Sequence, residues 1–155
     1  FALSQAHDAL AQAEWMSSQL ADLIAQLQAT RPGTNQIRFE GTQVTLEPRT
    51  SLTLSMVLHE LMANALQHGA LKSPSGYVTV IATLNAADNP QSLKIDWVET
   101  GGPAITASAV KGFGFQLIHR SIERELQGKV QMNFPESGLH CSMHIPWLEM
   151  PTSAL

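Results

Sequence analysis

Apolar residues return at three- and four-residue intervals over Leu3, Ala6, Leu10 and Ala13, and again over Met16, Leu20, Leu23, Ile24 and Leu27. That is the period of a helix with one buried face, so both stretches predict helix. The break falls near Trp15-Met16-Ser17-Ser18, where a serine can cap a new start, and the second helix ends before Arg31-Pro32-Gly33. Two short segments, 36–40 and 43–46, flank Gly41-Thr42 and predict a small antiparallel pair. After Pro48 the longest helical pattern covers about residues 50–68 and stops at Gly69. Strict alternation then takes over, with Val78, Val80, Ala82 and Leu84 in segment 77–84 and Leu93, Ile95 and Trp97 in segment 93–98. Joined by an Asn-Ala-Ala-Asp-Asn-Pro turn, these predict an antiparallel hairpin. Residues 101–112 are small and irregular, a loop long enough to call for a functional reason. Segment 113–126 predicts helix, and 129–134 and 139–145 predict strands around Pro135-Glu136-Ser137-Gly138.

Antiparallel strands interrupted by helices, with every second strand position polar, imply the α+β class. The expected form is a two-layer α/β sandwich with helices on one face of a mostly antiparallel mixed sheet. A chain of 155 residues suits one such domain. The expected division is 1–14 as the remnant of an upstream helical element, 15–148 as the domain and 149–155 as a tail. With 44% hydrophobic and 14% charged residues, the composition is that of an ordinary globular fold. A net charge of −4 and nine scattered Lys and Arg argue against a nucleic-acid partner. Cys141, a single cysteine in an alternating apolar segment, reads as a buried structural thiol. No segment has the apolar length of a membrane span, so no direct membrane contact is expected. The default compartment is the cytoplasm, including the cytoplasmic side of a membrane-anchored parent.

On the 50–68 helix, Leu54, Leu58, Leu61, Met62 and Ala65 gather on one side at about 100° per residue. Glu60, Asn64 and Gln67/His68 fall on the other. They form either a solvated face or a carboxylate, an amide and an imidazole aimed one way from a rigid element. Later, Trp97-Val98-Glu99-Thr100-Gly101-Gly102-Pro103 ends a strand and Gly112-Phe113-Gly114 opens a helix. An acidic residue followed by paired glycines lets backbone approach a planar ligand while the carboxylate accepts from an exocyclic amine. Gly-x-Gly before a helix leaves backbone N–H groups free to face an anion such as phosphate. Trp97 is open to stacking on a base, but its alternation with Leu93 and Ile95 favours the core.

In this order the motifs resemble the Bergerat ATP-binding fold shared by histidine kinases and gyrases, and within it the HWE-type sensor histidine kinases. The residues that carry the resemblance are His59-Glu60-Leu61-Met62-Ala63-Asn64-Ala65, Gly69-Ala70-Leu71, Trp97-Val98-Glu99, Gly101-Gly102-Pro103 and Gly112-Phe113-Gly114 with Leu117-Ile118. Early Ala6-His7-Asp8 and Trp15 also match. The resemblance implies a catalytic domain that binds ATP and Mg²⁺ and transfers the γ-phosphoryl group to a histidine located outside this chain, for relay to a response regulator receiver domain. Asn64 would hold Mg²⁺ through the ATP phosphates and Glu60 would orient the reacting groups. Glu99 would take the adenine amine, with Gly101 and Gly102 lining the base pocket. Lys111, Gly112, Phe113, Gly114, His68 and Leu117 would complete the nucleotide site, and residues 103–111 would be a lid. Residues 1–14 would then be a remnant of the dimerisation and phosphoacceptor helix, linked to upstream sensor and dimerisation domains. His59 points about 100° from Glu60 and reads as a packing residue. Two departures stand out: Gln67-His68-Gly69 replaces the family's Lys-Tyr-Gly, and Phe115 replaces a small hydroxyl residue. They keep a second reading open, a degenerate domain that has lost ATP and serves as the docking module of a histidine phosphotransferase.

Overall fold

The computed structural model describes residues 18–31, 35–85, 87, 91–104 and 114–147. The expected helix at 1–14 and tail at 149–155 lie outside them. In chain order come β1 (Ser18–Gln19), α1 (Leu20–Ala29), β2 (Ile37–Gly41), β3 (Thr45–Leu46), α2 (Pro48–His68), β4 (Tyr77–Asn85), β5 (Ser92–Thr100), α3 (Phe115–Arg120), β6 (Lys129–Asn133) and β7 (His140–Pro146). A short 3₁₀ turn, Ala70–Lys72, follows α2. Among the described residues the main sheet has five strands in the order β2-β4-β5-β7-β6, with β2 parallel to β4 and the other pairs antiparallel. This is the mixed, mostly antiparallel sheet of an α+β sandwich.

Alternation decides which face is covered. Val78, Val80 and Ala82 on β4, Leu93, Ile95 and Trp97 on β5, and Cys141, Met143 and Ile145 on β7 are all buried on one side. Leu54, Val57, Leu58, Leu61 and Ala65 of α2 belong to the same core, as do Leu20, Leu23, Ile24 and Leu27 of α1. Each fully buried Leu or Ile stabilises the fold by about 1.5 to 3 kcal/mol, so the two helices and the sheet hold one another. Cys141 is buried as expected, and its thiol is pushed up to about 12, by burial first and then by the nearby Asp96 and Glu99 carboxylates.

Several elements differ from the sequence expectation. The 36–40 and 43–46 segments do not pair with each other: β2 joins the main sheet beside β4, and β3 pairs antiparallel with β1. Ile37 and Phe39 stand in register with Val78 and Val80, so sheet edge pairing covers them, which a two-strand ribbon cannot do. Ser18 does not cap α1. It is spent in β1 opposite Leu46, while the Leu20 N–H donates to the Val44 carbonyl and Gln19 takes the cap position without a side-chain bond. Helix α2 starts earlier than expected, because Pro48 is well suited to the first turn, where no N–H is needed. Gly69 ends α2 in an extended conformation (φ −120°, ψ −152°), not the left-handed one of a glycine stop. The 113–126 helix is α-helical over Phe115–Arg120 and then widens into a π-type turn over Ser121–Glu125, where the Leu126 N–H reaches the Ser121 carbonyl.

The opposite face of the sheet carries a polar cluster. Asp96 is buried and accepts from Ser142 and from His140 Nε2 (3.0 Å), with Lys94 Nζ at 3.5 Å. Burial alone would raise the Asp96 pKa, but the hydrogen bonds from Ser142 and His140 and the charge of Lys94 outweigh it and hold the carboxyl below its usual value. A carboxylate depressed in the folded state adds stability above its unfolded pKa and loses it as pH falls through the folded value. Asp96→Asn should therefore cost about 1 to 3 kcal/mol at neutral pH. In urea titrations, the gap between wild type and variant should close on acidification below about pH 4. A gap that stays constant down to strong acid would show that the charge is not what the cluster uses.

Candidate functional site

Helix α2 positions half of the candidate residues. Glu60 and Asn64 lie one turn apart on the same flank, and both are half-buried. The solvent side of the helix is made by Ala63, Leu66 and Gln67, so the polar pair sits at an edge of the helix and not opposite the core. What covers that edge is Gly114. A Cβ at Gly114 would come within 2.7 Å of Glu60 Oε2 and 3.0 Å of Asn64 Nδ2. Its φ of +81° is one that side chains rarely adopt, so both space and backbone call for glycine there. Asn64 Nδ2 is buried with no hydrogen-bond partner. An orphaned buried amide is a costly feature in a folded protein and suggests a missing ligand.

The other half lies at the end of β5. Glu99 is 2% exposed, and both carboxylate oxygens are engaged. Trp97 Nε1 donates to Oε1 at 3.0 Å and the Ala70 backbone N–H donates to Oε2 at 3.2 Å. Burial raises the Glu99 pKa, and these two bonds pull against it. The carboxylate reaches α2 where the helix ends: a Cβ on Gly69 would collide with Glu99 Oε2 and come within 3.0 Å of Ala65 Cα. This explains the extended Gly69, since the position is needed for close approach and not for reversal. Gly102 completes the wall, because a Cβ there would lie 2.5 Å from Ala70 Cα and 2.8 Å from the Gly69 carbonyl carbon. Gly101 turns the chain with a φ of +81°.

The structure thus gathers Glu60, Asn64 and Gly114 along α2, and Glu99 and Gly102 at its C-terminal end. His68 is the exposed last residue of α2, and Leu117 is half-buried on α3. Lys111, Gly112 and Phe113 lie outside the described residues. His59 is half-buried and its Nδ1 donates to the Ser55 carbonyl one turn back at 2.7 Å. Phe115 packs against the core and meets Phe134 edge-on with ring centroids 6.3 Å apart. Sequence reasoning missed two partners of Glu99: the Ala70 N–H and the indole of Trp97. The second was findable, because residues i and i+2 of a strand share a face.

The arrangement offers a buried acceptor beside glycine-lined backbone, and a carboxylate with a carboxamide that together present hard oxygen donors. Among the described residues no three His, Cys, Asp or Glu side chains gather to hold a metal. A cation at Glu60 and Asn64 would draw further oxygens from a bound ligand, as Mg²⁺ does from phosphates.

Comparison with known proteins gives the setting. The chain is 32% identical over 140 residues to the blue-light-activated histidine kinase of Brucella anthropi, and 31% to that of Brucella ovis. The matches take in 89% of this chain but 28% and 29% of those proteins, so the chain spans under a third of their length. No family model matches. Among solved structures, the histidine kinase domain of the Erythrobacter litoralis EL346 blue-light activated histidine kinase superposes with a TM-score of 0.62 at 18% identity, covering 79% of this chain and 57% of that one. The catalytic domain of the histidine kinase ThkA does so with a TM-score of 0.61 at 18% identity, covering 84% and 96%. At that identity these two speak for the fold.

The Gly69 contact can be tested before any ligand is added. Gly69→Ala should destabilise the domain by about 1 to 3 kcal/mol through overpacking. In a Glu99→Ala background the same change should cost less than half as much, since the carboxylate it meets is gone. A double-mutant cycle by chemical denaturation measures this, and an equal cost in both backgrounds would place the strain elsewhere.

Proposed function

Because this chain belongs to the HWE-type histidine kinases, we propose that it is the ATP-binding catalytic domain of a two-component sensor kinase and passes the γ-phosphoryl group of ATP to a histidine outside this chain. The observation that carries the reading is that one helix, α2, brings the polar pair Glu60 and Asn64 against Gly114 and the glycine Gly69 against the buried carboxylate of Glu99. A phosphate-facing end and a base-facing end are thereby set along one rigid element.

In this reading Glu99 accepts the exocyclic amine of adenine, and Gly101 and Gly102 let backbone lie close to the base. The oxygens of Asn64 and Glu60 suit Mg²⁺, and the unpartnered Asn64 amide beside Gly114 supports a ligand at that place. When bound, Mg²⁺ supplies neutralisation of phosphate charge. The chain's own residues position and shield, which is most of what phosphoryl transfer needs. By the family resemblance, Lys111 and the Gly112-Phe113-Gly114 backbone are assigned to the phosphates, His68 and Leu117 to the same site, and residues 103–111 to the role of a lid that excludes water. Phe115 does not oppose this role, since its ring is engaged with Phe134. The acceptor histidine and the sensor and dimerisation domains belong to a longer parent, with residues 1–14 as the start of that connection. A response regulator receiver domain takes the phosphoryl group next, and this partner places the domain in the cytoplasm. Among the described residues no helix is long and apolar enough to cross a membrane.

Calorimetry should find MgATP binding by the wild-type chain and none by Asn64→Ala or Glu99→Ala. Unchanged binding in both variants would remove the assignment. Asn64→Ala should also leave the nucleotide-free domain as stable as before or more stable, by up to about 1 kcal/mol, because it deletes an unsatisfied buried amide. With MgATP at a hundred times its Kd, wild type should gain about 2.7 kcal/mol and the variant nothing.

A further inference from the structure

We infer that Trp97 is a positioning residue for recognition of the base: its indole N–H holds the Glu99 carboxylate in the orientation in which that group takes the exocyclic amine. The inference rests on the reading of Glu99 given under the proposed function.

Packing does not by itself account for this side chain. Trp97 is fully buried, opposite Val80 on β4 and Cys141 on β7, where any large apolar ring would serve the core. What indole adds is one donor with no acceptor capacity, and a buried N–H of this kind needs an acceptor. Here the acceptor is Glu99 Oε1 at 3.0 Å. Oxygen Oε2 is held by the Ala70 N–H at 3.2 Å, from the turn that follows α2. Two donors on opposite oxygens fix the plane of the carboxylate, since rotation about its last bond would give up at least one of them. They also disfavour a proton on either oxygen, because a carboxyl O–H would then confront an N–H. Burial, the larger influence, raises the Glu99 pKa, and the two bonds pull against it. Cys141, the titratable neighbour on β7, stays a neutral thiol and adds no charge. The lone pairs that remain on Glu99 can accept and cannot donate. They suit the amine at position 6 of adenine and have nothing to offer a carbonyl there.

The test compares ATP with purine riboside 5′-triphosphate, which has the same sugar and phosphates but no 6-amine, each with Mg²⁺, on the full 155-residue chain. Binding is measured for wild type, for Trp97→Phe, and for Trp97→3-benzothienylalanine, in which sulfur replaces the N–H in a ring of nearly the same shape. Wild type should prefer ATP on the order of tenfold or more, the worth of a hydrogen bond to a charged group. Both variants should lose that preference by binding ATP more weakly, while affinity for the analogue stays within about twofold. A merely structural role would weaken both ligands alike and keep the preference, which would overturn the inference and leave the role of Glu99 intact. A wild-type chain with no preference would overturn the adenine reading of Glu99, and the inference with it. Where Trp97→Phe disturbs folding, the benzothienyl chain decides the question because it preserves the packing.

Discussion

A carboxylate removed from water must find donors for its oxygens, and in this domain that demand on Glu99 organises the end of the central strand and the end of the longest helix together. The indole of Trp97 meets one oxygen from within β5, and the Ala70 N–H meets the other from the turn after α2. To bring that turn within reach, residue 69 must have no side chain, and to seat the next segment residue 102 must have none either. Buried charge without such partners would be strongly destabilising. The glycines, the tryptophan and the carboxylate are therefore one structural unit, and exchanging any member burdens the others.

Helix α2 transmits that constraint along its length. Its apolar stripe, from Leu54 through Ala65, locks it to the sheet, so neither translation nor rotation is free. Glu60 and Asn64 are carried on the flank of the same helix, and their separation from Gly69 is set by helical rise, about 1.5 Å per residue. The two ends of the proposed nucleotide site are in this way spaced by a rigid ruler.

The sequence made most of this legible where periodicity is strong. The alternation of Val78 to Leu84 and of Leu93 to Trp97 pointed to the β4–β5 hairpin, and the run from Leu54 to Ala65 to α2 and its buried face. Pairing of short segments was less legible. Nothing local in residues 36–46 says that Ile37 and Phe39 will lie parallel to a strand some forty residues later, because that partner becomes adjacent only once α2 has crossed back over the sheet. Helix ends misled for a related reason: Ser18 and Gly69 carry local signals for a cap and a stop, and tertiary contacts with Leu46 and Glu99 override both. At the candidate site, the motif letters named Glu60, Asn64, Glu99 and their glycines, but the hydrogen bonds that Glu99 accepts depend on which donor faces its carboxylate. Of those two bonds, only the one from Trp97, two positions away on the same strand, had its proximity written in the chain.

Two features that weaken the isolated domain gain a reason under the proposed function. Asn64 keeps an amide buried and unpaired, and Glu99 keeps a carboxylate where burial favours the neutral acid. Replacing Asn64 with an apolar side chain would relieve a desolvation penalty, whereas replacing Glu99 would orphan the buried Trp97 and Ala70 N–H groups, so it is Asn64 that is hard to explain as selection for stability. Asn64 sits beside Gly114, and Glu99 beside Gly69 at the end of the same helix. A buried amide left without a partner beside Gly114 suits a site for a polar, charged ligand, which would supply that partner on binding. A module kept for docking alone would have no need to retain this cost.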